Sequence, residues 1–171
     1  MVQAFVNTLD IENGVEELTT PAALHEALAR VGALPPDDGP LDDPDLRIGL
    51  DAREALRALA LGNSGVPVPP EAYAALERLA RAAHFTVRFA DGRARLVPAA
   101  TGVDGALGRI LAVVHEAMAD GTWWRLKGCP RDVCHWLFYD RSRNGWGRWC
   151  AMSVCGNRTN TKAYRRRAAA A

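Results

Sequence analysis

All four cysteines of this chain fall inside one 27-residue window near its end, and no other feature constrains its folding as much. Cys129 and Cys134 enclose four residues, Cys150 and Cys155 enclose four more, and fifteen separate the two pairs. Two short loops of this kind can turn four thiolates toward one point, the arrangement of a tetrahedral Zn²⁺ site. Two disulfides, or four unrelated buried thiols, are the competing readings. Free cysteines do pack as small hydrophobes, but equal spacing within two pairs is not expected of unrelated core residues. Met1–Asp10 has neither a basic n-region nor a long apolar run, so we expect no secretory signal and a reducing cytoplasm where lasting disulfides are uncommon. One structural Zn²⁺ on Cys129, Cys134, Cys150 and Cys155 is the expectation. Iron–sulfur chemistry also suits four thiolates.

The flanking residues are those of a folded metal module. Pro130 follows the first cysteine and Gly156 the last, both suited to tight turns. His135–Asp140 reads as a short strand, with Trp136 and Phe138 on one face and Leu137 and Tyr139 on the other. Arg141–Gly147 is a polar turn containing the hairpin dipeptide Asn144-Gly145, after which Arg148–Cys150 is expected to return as the second strand. From Asn157 to about Ala168, alanine and arginine dominate and glycine and proline are absent, which predicts a helix. Knuckle, hairpin, knuckle and helix together predict a treble-clef-like finger. His135 is a further ligand type beside Cys134, but four thiolates already fill a tetrahedral site.

Charge divides the chain. Residues 121–171 hold eleven Lys/Arg against two acids, a net +9, whereas residues 1–120 hold ten against eighteen, a net −8. Such asymmetry is the footprint of a nucleic-acid-binding tail on an acidic partner domain. On a helix beginning near Asn157, Arg158, Lys162, Arg165 and Arg166 share one stripe. Arg141, Arg143 and Arg148 add cations on the hairpin. A solvated face, or compensation of the helix dipole, is the plainer account of Arg165–Arg167 and fits Arg158 less well. All five tryptophans lie in this last third. Trp136 and Trp149 are expected to cover the metal, and Trp146, in the polar turn, to stand exposed.

The first 120 residues read as a mainly helical domain with one hairpin. Phe5 and Leu9 suggest a short opening helix. Thr20-Pro21 begins a second helix that stops at Gly32, and Leu34–Pro44 is an acidic, proline-rich loop. Asp43-Pro44 opens a third helix ending near Gly62, and a fourth spans Glu71–Ala83. Then the apolar period changes to two: Phe85, Val87 and Phe89 alternate with polar residues, Asp91-Gly92 turns, and Arg93–Val97 returns. A last helix over Val103–Ala119 leads to Trp123 with no linker between, so the finger is expected to pack on the helical part. The fold class is α+β, divided as 1–120 and 121–171.

No enzyme is expected. His25-Glu26 and His115-Glu116 each begin like a two-histidine zinc protease motif, but Ala29 and Ala119 stand where the second ligand belongs. Gly102, Gly105 and Gly108 precede a helix without the strand-to-helix loop of a phosphate site. No apolar stretch approaches membrane-spanning length.

Two stretches resemble a known family. Cys129-Pro130-x3-Cys134-x-Trp136-x-Phe138-x-Asp140-x-Ser142-x-Asn144, with Arg148-Trp149-Cys150-x-Met152-x2-Cys155-Gly156-Asn157-Arg158, resembles the CGNR zinc finger. Phe5-Val6-Asn7-Thr8-Leu9-Asp10 is similar to the opening of the ABATE domain that precedes that finger. The resemblance implies a bacterial, cytoplasmic, stress-induced transcription regulator with a C-terminal DNA-binding finger. Asn160 and Gly147 stand where relatives often carry Lys and Arg, so two cations are missing from the pattern. Within the motif, Asp140, Ser142 and Asn144 are suited to bridging the turn, Asn157 to capping the final helix, and Arg158 either to phosphate or to an internal pair with Asp140.

The leading expectation is thus a zinc-binding DNA regulator using Arg141, Arg143, Arg148, Arg158, Lys162, Arg165 and Arg166, whose N-terminal domain takes a small-molecule effector, forms a homodimer or contacts another protein. A binder of RNA or single strands, and an adaptor with a purely structural zinc, are the alternatives.

Overall fold

Short polar side chains set where the first elements stop and start. In the computed structural model, which describes residues 1–35 and 37–161, helix α1 spans Val2–Val6. Thr8 turns its hydroxyl back to the Phe5 carbonyl at 2.8 Å, an alternative to helical bonding that ends the element. Leu9 therefore leaves the expected helix face and joins strand β1 (Leu9–Asp10), antiparallel to β2 (Val15–Glu16). Helix α2 (Pro21–Arg30) starts as expected, with the Thr20 side chain accepting from the Ala23 amide at 3.1 Å. Helix α3 (Asp43–Gly62) is opened by a reciprocal capping box between Asp42 and Asp45, which satisfies two otherwise orphaned donors. Helix α4 (Pro70–Ala82) follows.

Strands β3 (Phe85–Ala90) and β4 (Arg93–Pro98) form the expected hairpin, closed by Asp91 and Gly92 at φ 52° and 71°. Two successive left-handed residues are what a two-residue hairpin loop demands. Helix α5 (Gly102–Ala119) then leads through a 3-10 turn at Trp123–Arg125 into β5 (Leu126–Gly128), which pairs antiparallel with β6 (Leu137–Tyr139). A π-helical turn at Met152–Gly156 runs into α-helical residues 157–161. Helices with small antiparallel sheets make the fold α+β, as expected.

Phe5, Leu24, Leu28, Leu56, Leu107 and Ile110 are fully buried. Each is a side chain whose burial stabilises by about 1.5–3 kcal/mol. Leu126 and Leu137, from the β5–β6 hairpin, belong to this same cluster. The core is therefore continuous across residue 120. Among the described residues, no helix is long and apolar enough to cross a membrane.

Candidate metal centre

The first cysteine pair sits in the loop that joins β5 to β6. The Cys129 amide donates to the Trp136 carbonyl at 2.9 Å, and the Cys134 amide to the Arg131 carbonyl at 2.8 Å, which folds the intervening residues into a tight knuckle. His135 takes φ 48° as the chain leaves this turn. The second pair brackets the start of the C-terminal helix: the Cys155 amide donates to the Ala151 carbonyl at 2.9 Å. The four sulfurs converge, all within 4.8 Å of one another. Cys134 to Cys150, Cys150 to Cys155 and Cys155 to Cys134 measure 3.7, 3.6 and 3.7 Å.

Those separations discriminate between the chemistries. A disulfide needs about 2.05 Å, and all four cysteines are free. A tetrahedron with Zn–S bonds of about 2.3 Å has S···S edges of about 3.8 Å. The donor set thus fits one thiolate-held ion, and His135 is not part of the cluster. Cys129, Cys134 and Cys155 are buried, and Trp136 and Trp149 pack against them, as expected of the residues that shield the site. Burial pushes the Cys134 thiol up to about 12, and burial with neighbouring sulfurs also raises Cys150. Burial opposes ionisation of Cys155 too, but the Arg131 guanidinium, donating to its Sγ at 3.4 Å, brings that thiol below its ordinary value. A bound dication would supply the positive charge that four crowded thiolates require.

Around the knuckles, the polar turn differs from expectation. Residues 148–150 form no strand; β6 pairs with β5 instead. The reason is Lys127, on β5. Its ammonium lies beneath the turn, donating to Asp140 at 2.9 Å and to the Gly145 and Gly147 carbonyls. An ammonium, rather than a strand partner, satisfies the backbone of residues 145–147. Asp140, only 3% exposed, also accepts from the Ser142 amide and hydroxyl and from the Gly147 amide. Asn144 accepts from the Trp146 amide at 3.3 Å. Asp140, Ser142 and Asn144 thus bridge the turn as the sequence suggested, with Lys127 as the unforeseen centre. Gly145 has φ 68°, and a Cβ there would lie 2.0 Å from the Trp124 indole. Only glycine meets both conditions. A Cβ at Gly147 would meet the Asp140 carboxylate at 2.7 Å, so a larger residue there is incompatible with this placement of Asp140.

Arg158 does not pair with Asp140. It reaches Glu12, in the turn between β1 and β2, and Arg131 donates to the same carboxylate at 3.0 and 3.1 Å. Asn157 does not cap the helix; it lies within it and donates to the Ser153 carbonyl. Arg141, Arg143 and Arg148 are exposed, with Arg148 stacked 5.0 Å from the Trp149 ring. Trp146 is 82% exposed. Lys162, Arg165 and Arg166 lie outside the described residues.

Several residues that hold the centre escaped sequence reading. Asn7 donates to the Leu137 carbonyl and accepts from the Leu137 amide, both at 2.9 Å. Arg57 donates to the Val6 and His135 carbonyls. Asn63 and Ser64 bind the Trp123, Leu126 and Gly128 carbonyls. Side chains from the helical part thereby complete the backbone bonding of the finger's hairpin. Gly128 lies so close to α3 that a Cβ would meet Leu61 at 2.5 Å. The one available signal was the i, i+4 pair Arg53 and Arg57 amid the apolar residues of α3. Both are buried, and Arg53 grips Glu16 with two bonds of 2.6 and 2.8 Å.

The ABATE model, described as "Putative stress-induced transcription regulator", matches residues 1–121, and the CGNR zinc finger model matches residues 125–168. No curated protein matches the chain. The four cysteines and the finger family together point to one zinc ion. Neither family is described as an enzyme.

Proposed function

This chain belongs to the ABATE family, described as "Putative stress-induced transcription regulator", and carries a CGNR zinc finger, and from that membership we propose that it is a zinc-dependent regulator that binds duplex DNA. One observation carries the reading. Arg141, Arg143 and Arg148 project from a turn locked by Lys127 and Asp140, all three exposed and none in an ion pair among the described residues. A rigid frame holding unneutralised guanidinium groups suits phosphate contacts, because little side-chain and loop freedom is lost on binding. Lys162, Arg165 and Arg166 extend the same cationic set in sequence. Arg158, of the same set, is engaged by Glu12.

The acidic residues 1–120 would act as the regulatory part, taking a small-molecule effector or forming a homodimer, in the cytoplasm of a bacterium. The metal would be structural: cysteine sulfurs hold it, and Trp136 and Trp149 cover it. DNA affinity should therefore require zinc without zinc touching DNA.

The test is fluorescence anisotropy on labelled duplex with the zinc-loaded chain across a salt series. Each phosphate contact contributes about −0.9 to the slope of log affinity against log salt. Arg141→Gln/Arg143→Gln should flatten that slope by nearly 2. Absence of duplex binding at low salt overturns the proposal. A second reading rests on Trp146, whose exposed indole offers a surface for base stacking. Preference for single-stranded competitor, lost in Trp146→Ala, would favour an RNA or single-strand binder. If neither nucleic acid binds, a protein adaptor with a structural zinc is the reading left.

A further inference from the structure

A second cationic surface lies outside the finger, on the β3–β4 hairpin. The register pairs Arg88 with Arg95 and Ala90 with Arg93. Residues directly opposite in an antiparallel pair share a face, so Arg88, Arg93 and Arg95 crowd one side of a two-stranded ribbon. All three are exposed, and none has a salt-bridge partner among the described residues. Like charges set directly across from one another destabilise a hairpin. No ion pair among the described residues offsets that repulsion, although Glu116 and Asp120 line one cavity together with Arg93 and Arg95.

The other side of the ribbon carries the exposed Val87 and Phe89 and the half-buried Leu96. Val87, Leu96, Arg93 and Arg95 line a cavity of about 600 Å³ with Glu116 of α5 and with Asp120, the residue that caps that helix. The arginine side carries only Thr86, Ala90 and Val97 besides its cations. It lacks the large apolar centre that a protein interface requires. At the ribbon's tip Phe89 is 81% exposed beside the Asp91-Gly92 turn. Ala119 and Asp120, which β4 approaches here, are followed within a few residues by Trp123–Arg125, and the Trp124 indole packs against Gly145 of the finger's basic turn. The cationic face therefore lies at the end of α5 from which the finger emerges.

We propose that the β3–β4 hairpin is a second duplex-DNA contact, a cationic ribbon whose Arg88, Arg93 and Arg95 bind backbone phosphates. The proposal rests on the DNA-binding reading above and adds an element outside the finger to it. A two-stranded ribbon fits within a major groove about 12 Å wide. Arg93 and Arg95, two residues apart on one strand, are separated by about 7 Å, the rise of about two base pairs. Charge complementarity selects the occupant, and groove width selects a duplex.

The experiment compares the zinc-loaded full chain with Arg88→Gln/Arg93→Gln/Arg95→Gln and with the corresponding triple lysine variant on labelled duplex across a salt series. The glutamine variant should lose at least about tenfold in affinity near 0.1 M salt, its slope flattening by 2 to 3, and the lysine variant should recover the slope. Far-UV circular dichroism should match the unmodified chain and the thermal midpoint should not fall, since the change relieves a repulsion. Unchanged affinity and slope in the glutamine variant overturn this inference alone, provided Arg141→Gln/Arg143→Gln weakens binding. A slope that lysine does not recover, or a glutamine variant whose only change is in sedimentation mass, overturns it also and assigns the ribbon to a second copy. If the unmodified chain binds no duplex, the proposed function and this inference fall together.

Discussion

Asp140 gathers four donors on one carboxylate: the Lys127 ammonium, the Ser142 amide and hydroxyl, and the Gly147 amide. Burial alone would raise its pKa, but Ser142, Lys127 and Gly147 outweigh burial and hold it well below its ordinary value of 3.8. The ionised form is thus the one the fold favours. Its contribution to stability is complete above the unfolded value near pH 4 and fades as pH falls through the lower folded value. Asp140→Asn leaves the Lys127 charge buried without its partner, a loss on the order of 3 kcal/mol at pH 7. Urea unfolding from pH 7 to pH 2 should show that deficit constant down to about pH 4 and shrinking below it. A deficit independent of pH would remove Asp140 from this role.

Strand β6 is a two-sided element with one partner strand. Its inner edge bonds to β5, and at its outer edge the Asn7 amide both gives and takes a hydrogen bond at Leu137, as another strand would. Asn7→Ala strands one amide and one carbonyl in a partly buried place, with a cost of about 1–3 kcal/mol. Hydrogen exchange at the Leu137 amide should accelerate before exchange in α3 or α5 changes. Equal protection in the variant and the unmodified chain would show that water replaces Asn7 without loss. The Phe5–Asp10 motif thereby gains a physical account. Phe5 and Val6 fill the core, Asn7 holds the finger's strand, and Thr8 ends the helix.

Over the whole molecule, the helical part and the metal centre share a core and a polar joint. Leu126 and Leu137 pack with Phe5 and Ile110, and Glu12 binds Arg131, whose guanidinium also touches a thiolate sulfur. Metal binding is then folding free energy for the entire chain. Chelation, or Cys155→Ser, should lower the thermal midpoint in a single transition that moves both helical ellipticity and tryptophan fluorescence, with bound zinc falling from one equivalent toward none. Two separated transitions, the helical one unmoved, would show that the halves fold independently. A net −8 over residues 1–120 against +9 over the remainder draws the parts together, and the Glu12 contacts to Arg131 and Arg158 are where that attraction becomes local.

Local chemistry was legible in the chain itself. Cysteine spacing announced the metal site, Thr20-Pro21 and Asp43-Pro44 marked helix starts, and Asp91-Gly92 marked the hairpin, because each signal acts within a few residues. Trp146 in a polar turn was likewise expected to be exposed, and it is. What only the tertiary structure decided were partnerships between distant residues. The hairpin dipeptide pointed to Arg148–Cys150 as the partner of β6, but Leu126–Gly128 is equally short and adjacent, and it is the strand that pairs. The buried Lys127 chose between them by occupying the carbonyls of residues 145–147. Asn7 with Leu137, Arg57 with His135, and Glu12 with Arg131 and Arg158 follow the same rule. A polar side chain reads as solvent-exposed until packing removes the water around it, and then the nearest unpaired backbone group or opposite charge becomes its partner.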